Sequence, residues 1–397
     1  MKILIVSFYY PPEMGAAPSR ISNMAEALTR QGNEVNVLTC LPNYPKGRIF
    51  EGYRRRLFKE ETIQGVRTFR YWTYATISKN AIARLMGMLV FALAIWVFGL
   101  RISKNRSYDK VIIQSPPLLV GFSAVLLYRC IYRKQTILNV SDLWPLSAVE
   151  LGAVKQGSTY YKILAWMERF VYKKASAIFG QSDEILRHIQ SFGYSKPHFL
   201  YRNLQPQLVQ RLSTPPENRN TLKLAYAGLL GVAQDILGII QNINFKELGA
   251  ELHIYGGGNQ AEAIQEYATK NDCGVICHGY KKKEEINQIL GTFHASIVPL
   301  AVSIKGAVPS KIFDILPHGT PILYCGDGEG KDIILQYNLG MVSPPGNYET
   351  LKKNIITLKS MTDDEYHRMR ECCLQASANE FSFEEQMKRC FKFLKEM

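Results

Sequence analysis

The chain has 397 residues, 47% of them hydrophobic, and a formal net charge of +14, so it is long enough for two domains and too apolar to be disordered. Its eight cysteines lack the paired spacing of a zinc site. The single Cys-x3-Cys, Cys273 and Cys277, falls in an expected strand without a second ligand pair, so the cysteines read as reduced, cytosolic thiols. The basic excess calls for an anionic partner, but not for nucleic acid, because zinc-finger and RNA-binding signatures are absent and apolar segments separate the basic clusters.

Residues 2 to 9 read as a buried strand, without the small-residue cleavage pattern of an export signal. The loop YYPPEMGAAPS then leads into an amphipathic helix from about Ser19 to Gln31, with Ile21, Met24, Ala25 and Leu28 at helical spacing and Gly32 to stop it. Glu34 to Leu41 forms a second strand and completes a βαβ opening. Further strands are expected at Val66 to Tyr71, Lys110 to Gln114, Thr136 to Val140 and Ala177 to Gly180. Helices are expected around 79 to 105, 118 to 129, 160 to 174 and 182 to 191, so the first half is a mostly parallel sheet covered on both faces.

Inside the 79 to 105 helix, Leu85 to Leu100 is sixteen uncharged residues between Arg84 and Arg101, fewer than the roughly 20 needed to span a bilayer. The same half carries Arg54, Arg55, Arg56, Lys59, Lys104, Arg106, Lys110, Arg129, Arg133 and Lys134, and Trp96 lies near one end of the stretch. A helix lying on an anionic membrane surface is expected, with burial in the core as the competing reading. The localisation that follows is cytoplasmic, peripheral to the inner face of the plasma membrane.

Polar, proline-bearing sequence from Asn203 to Thr221, including TPPENRN, marks a linker. A second series of short apolar strands follows at Leu222 to Ala227, Glu251 to Tyr255, Gly274 to Cys277, Ala295 to Pro299, Pro321 to Cys325 and Gly340 to Val342, alternating with helices. The expected division is 1–205, 206–380 and a C-terminal helix, 381–397, that crosses back to the first domain. Two facing α/β domains of this kind leave a cleft at the carboxyl ends of their strands, where open sheets bind ligands.

The stretch KGAVPSKIFDILPHGTP, residues 305 to 321, places Ser310 at a plausible N-cap, Lys311 at the helix start and Asp314 about one turn on. Unpaired first-turn amides and a lysine suit a nucleotide diphosphate beside a sugar, although a capped helix with a surface lysine has the same pattern.

Together with that stretch, FYYPPEMGAAPSR at the N-terminus, LPNYPKG at 41 to 47, SDLWP at 141 to 145 and YAGLLGVAQ at 226 to 234 resemble glycosyltransferase family 4 over almost the whole length. Within it the chain is most similar to bacterial surface-polysaccharide enzymes of the L-fucosamine transferase type. The resemblance implies the GT-B architecture, two facing Rossmann-like domains with an interdomain cleft. It also implies a retaining, metal-independent transfer from a UDP-sugar, plausibly N-acetyl-L-fucosamine, to a polyprenyl-diphosphate-linked saccharide in capsule or O-antigen synthesis. A UDP-sugar epimerase of the same fold and a non-catalytic nucleotide-sugar-binding protein are the alternatives.

By the same resemblance Gly15, Gly228 and Gly231 let backbone approach the donor, Ser310 and Lys311 meet its diphosphate, and Arg202 helps. Glu329 sits near the ribose. Asp314 falls on the second acid of the family's Glu-x7-Glu pair, which leaves Gly306 at the first. Asp142 is expected to orient or deprotonate the acceptor hydroxyl, with Glu13 a second acceptor-side acid, and relatives often have His-Asp where this chain has Ser141 and Asp142. The arginine and lysine that many relatives carry beyond the Gly228 turn are missing from LLGVAQD, and no DxD metal motif is present.

Overall fold

A computed structural model describes residues 1–76, 81–101, 108–206 and 218–397. Lys104, Arg106 and most of the expected linker lie outside them. The described residues form two units, Met1–Asn203 with Glu384–Met397, and Leu204–Phe383.

The first unit is built on an eight-stranded sheet: β1 (Lys2–Val6), β2 (Glu34–Cys40), β3 (Phe58–Ile63), β4 (Val66–Tyr71), β5 (Lys110–Ser115), β6 (Gln135–Val140), β7 (Ala177–Gly180) and β8 (His198–Leu200). The order is β3-β4-β2-β1-β5-β6-β7-β8, parallel throughout except for the β3–β4 hairpin. Every residue of β5 is buried, as a strand covered on both faces requires, the apolar Val111, Ile112 and Ile113 together with the polar Lys110, Gln114 and Ser115. Sequence reading missed β3, FKEETI, because an edge strand with no buried residue has no apolar pattern. Its hairpin closes on Gln64 (φ 50°) and Gly65 (φ 79°), left-handed geometry that suits the twist of the flanking strands.

The Ala81–Arg101 helix is half core and half surface. Phe91, Ile95 and Phe98 are fully buried, and Trp96 Nε1 donates to Ser123 Oγ (3.0 Å) on the neighbouring Leu118–Val125 helix. Met86, Leu89, Leu93, Val97 and Leu100 recur three or four residues apart and are all exposed, Leu93 at 67%. The C-terminal helix, Phe383–Glu396, closes the other edge of the sheet. Phe393 lies 5.8 Å from Phe179 of β7 and 5.7 Å from Phe199 of β8, and the Gln386 amide brackets the backbone of Arg202 at 2.9 and 3.0 Å.

The second unit carries β9 (Leu222–Ala227), β10 (Ala250–Tyr255), β11 (Val275–Cys277), β12 (Ala295–Pro299), β13 (Ile322–Cys325) and β14 (Gly340–Ser343). Their order, β11-β10-β9-β12-β13-β14, is all parallel and is the 3-2-1-4-5-6 order of a dinucleotide-binding sheet. The chain reverses direction across the sheet between β9 and β12, and ligands bind outside the strand ends at such a point.

Candidate functional site

A cavity of about 530 Å³ opens at that switch point of the second unit, a size suited to a small-molecule ligand. Gly228 and Leu229 after β9, Tyr255 at the end of β10 with Gly256 and Gly257 after it, and Ser310, Lys311 and Asp314 after β12 line it. Tyr280, Lys281 and Lys283 complete it from beyond β11.

Lys311 begins the five-residue helix Lys311–Ile315. Its Nζ donates to Tyr226 Oη (2.9 Å) and sits 4.3 Å from the centroid of the same ring. Burial lowers its pKa to about 8, and the nearby carboxylate of Asp314 opposes the shift. Burial raises the Tyr226 phenol, so that group stays protonated. Glycine suits position 228 on two grounds. Its φ of 153° suits glycine, and a Cβ on it would run into Lys311 Nζ.

The expected cap is corrected at Ser310. The residue is itself helical and its side chain makes no capping bond, so the hydroxyl serves the cavity it lines rather than the helix end. Asp314 Oδ1 accepts from Lys283 Nζ at 2.9 Å, with side chains 27% and 51% exposed, so a ligand can displace the pair at little cost. Gly306, at the position of the family's first acid, has φ 81°. A glutamate would be strained there.

None of the other expected residues lines this cavity. Gly231 opens a short turn beside Gln234, and Glu329 is buried in the first turn of the Glu329–Gln336 helix; neither lines the cavity. Gly15, Asp142 and Arg202 belong to the first unit. Arg202 Nη2 donates to Asp183 Oδ2 at 3.1 Å. Asp142 follows β6 with its surface exposed, yet the crowd of protein around it raises its carboxyl pKa while Arg20 pulls the other way. Gln114 organises this region: it accepts from Arg20 and Asn139 and donates to Ser141 Oγ (3.0 Å), beside Asp142.

Glu13 is corrected from an acceptor-side acid to a buried structural carboxylate, 3% exposed, whose oxygens accept from the backbone amides of Tyr10, Asn43 and Tyr44.

Sequence reasoning missed Tyr226, Tyr255, Tyr280, Lys281 and Lys283. The run GYKKKEE was the one local signal, and nothing in it tells which lysine turns inward. With three lysines, a serine hydroxyl, glycine amides and the rings of Tyr255 and Tyr280 lining it, the cavity can neutralise a diphosphate beside an aromatic base. Among the described residues no group of three or more His, Cys, Asp or Glu is placed to hold a metal ion.

A family model described as a glycosyl transferase 4-like domain matches residues 15–201. The chain is 28% identical over 158 residues to WcaI of Escherichia coli (strain K12), whose description assigns it to colanic acid biosynthesis as a glycosyl transferase; the match covers 40% of this chain and 38% of that protein. Among solved structures, the sucrose-phosphate synthase of Thermosynechococcus elongatus is similar with a TM-score of 0.74 and 14% identity, over 100% of this chain and 98% of that one. Anabaena Alr3699/HepE in complex with UDP is similar with a TM-score of 0.71 and 11% identity, over 100% of both chains.

Proposed function

We propose that this chain, which has the GT-B fold, is a retaining glycosyltransferase that moves a sugar from a UDP-sugar to a lipid-diphosphate-linked saccharide in surface-polysaccharide synthesis. The observation that carries the reading is Lys311: a half-buried ammonium held over Tyr226, beside Gly228, in a cavity at the switch point of the second sheet. A cation partly withdrawn from water in a cavity is suited to meet an anion there. The solved complex of Alr3699/HepE with UDP supports a uridine nucleotide as that anion.

In this reading the two phosphates lie over the Gly228 turn. Lys311 and Ser310 take up the charge that develops on the leaving diphosphate, and Lys283, released from Asp314, stands in for the cations absent from the turn after β9. Asp314 is then free to accept from hydroxyls of the ligand. As the sugar becomes oxocarbenium-like, the acceptor hydroxyl attacks the face that the diphosphate leaves. Asp142 is proposed to take its proton, for which a raised pKa is suited. N-acetyl-L-fucosamine or a related N-acetylated or deoxy sugar is proposed as the donor sugar, on the resemblance and on the missing carboxylate at Gly306.

We further propose that the enzyme works on the inner face of an anionic membrane. Residues Ala83–Arg101 are long and apolar enough to cross one, but Phe91, Ile95 and Phe98 are locked in the sheet core. That packing favours a helix lying in the interface, its exposed leucines in lipid and Arg84 and Arg101 among headgroups.

The test is a mass-resolved transfer assay with purified protein, a panel of UDP-, GDP- and dTDP-sugars and a lipid-diphosphate-linked N-acetylhexosamine. A lipid product heavier by one sugar, formed from a UDP-sugar, is expected. Lys311→Ala should lower kcat/KM by about 100-fold or more. An altered sugar nucleotide formed without acceptor would instead establish an epimerase. Unchanged donor affinity in the Lys311 variant would sink the phosphate assignment.

A further inference from the structure

Glu13 poses a question that the proposed reaction leaves open. Its carboxylate is almost wholly buried, and nothing in the donor cavity uses it. Oε1 accepts from the amides of Asn43 (2.9 Å) and Tyr44 (2.8 Å), and Oε2 from that of Tyr10 (3.2 Å). One buried carboxyl group therefore ties the loop after β2 to the loop after β1. In the clamped loop Leu41, Pro42 and Asn43 are buried, and Tyr44 is the first residue to emerge, 49% exposed. Its ring edge comes within 3.9 Å of where a Cβ on Gly15 would stand. Behind it runs a line of rings: Tyr44 to Tyr9 at 5.6 Å, Tyr9 to Phe8 at 4.9 Å, Phe8 to Phe91 at 5.6 Å. Phe91 lies on the helix whose outer face carries the exposed leucines.

A lone exposed tyrosine needs no explanation. A tyrosine fixed at its own amide by a buried carboxylate, braced by the ring of Tyr9 and set against a glycine, is a rigid amphipathic surface half open to solvent. The apolar C–H face of a pyranose packs on such a ring, with the phenol left to hydrogen-bond a sugar hydroxyl. We infer that Tyr44, backed by Tyr9, is the surface on which a pyranose ring of the acceptor saccharide stacks, and that Glu13 is the positioning residue that holds it. This site rests on the transferase reading. Its residues all belong to the first unit and none of them lines the donor cavity, and it sits on a row of rings that begins at the helix proposed to meet lipid.

Tyr44→Ala should raise the acceptor KM about tenfold while UDP-sugar affinity, measured separately, stays as in the wild type; Tyr44→Phe should stay within about threefold. Glu13→Gln puts an amide donor against the Tyr10 N–H, so acceptor KM should rise with kcat and donor affinity retained, a split that general destabilisation would not produce. Saturation-transfer NMR with a short-chain lipid-diphosphate-linked N-acetylhexosamine, without donor, gives a second readout: sugar signals in the wild type that are lost in Tyr44→Ala. Unchanged acceptor KM in Tyr44→Ala overturns the stacking site and leaves the transferase standing. If the wild type transfers nothing, the transferase reading fails, and the saccharide NMR decides the stacking site alone, absence of signal overturning it.

Discussion

Lys311 is charged at pH 7, because its pKa, lowered by burial to about 8, still lies above neutrality. A diphosphate needs the ammonium form, and the phosphates of a UDP-sugar do not titrate in this range. Donor affinity should therefore be flat below pH 8 and fall roughly tenfold per unit well above it, since each binding event must then take up a proton. Calorimetry at pH 8.5 in two buffers of different ionisation enthalpy should report uptake of most of a proton, and at pH 6.5 none. No uptake at pH 8.5 would mean that Lys311 does not meet the phosphates. The sequence offered Lys311 for this role because the motif around it is local. It could not offer Tyr226, 85 positions away, or the Lys283 to Asp314 pair, 31 apart, because chain proximity carries no information about partners brought together by different strands.

The exposed stripe on the Ala81–Arg101 helix is a property of an element rather than of any one residue. Its leucines stand free while the opposite face fills the core, so substitutions on the outer face should hardly touch stability. The double variant Leu93→Asp with Leu100→Asp is expected to keep its melting temperature within a few degrees, surface changes being worth about 0.5 kcal/mol each. It should bind phosphatidylglycerol vesicles at least about tenfold more weakly, since two leucine burials of roughly 1.5–3 kcal/mol are lost and two like charges added. Unaltered sedimentation with vesicles would turn this face over to a protein partner. Composition alone marked the stretch as apolar; which residues face out depended on what packs behind them.

At the scale of the whole molecule, the first unit is completed by the last helix of the chain. Met387, Cys390 and Leu394 are all but inaccessible, and Phe393 and Gln386 brace β7, β8 and Arg202. Ending the chain after Phe383 would strip those contacts, at about 2–5 kcal/mol for each large buried side chain. The first unit is expected to unfold or aggregate, while the sheet of the second unit keeps its circular dichroism and, on the proposed reading, its UDP affinity; a truncated protein with one native-like melting transition would contradict this. The sequence by itself determined the βαβ alternation, the two series of strands and the loop that carries Ser310, Lys311 and Asp314. Those follow from short-range physics: apolar runs of strand length, helical spacing and glycine turns. It could not show the charged edge strand β3, the absence of a cap at Ser310 or the conversion of Glu13 from an acid into a clamp. Those were decided by the tertiary structure alone, because a carboxylate or a hydroxyl acquires its chemistry from the amides and rings that other parts of the chain bring to it.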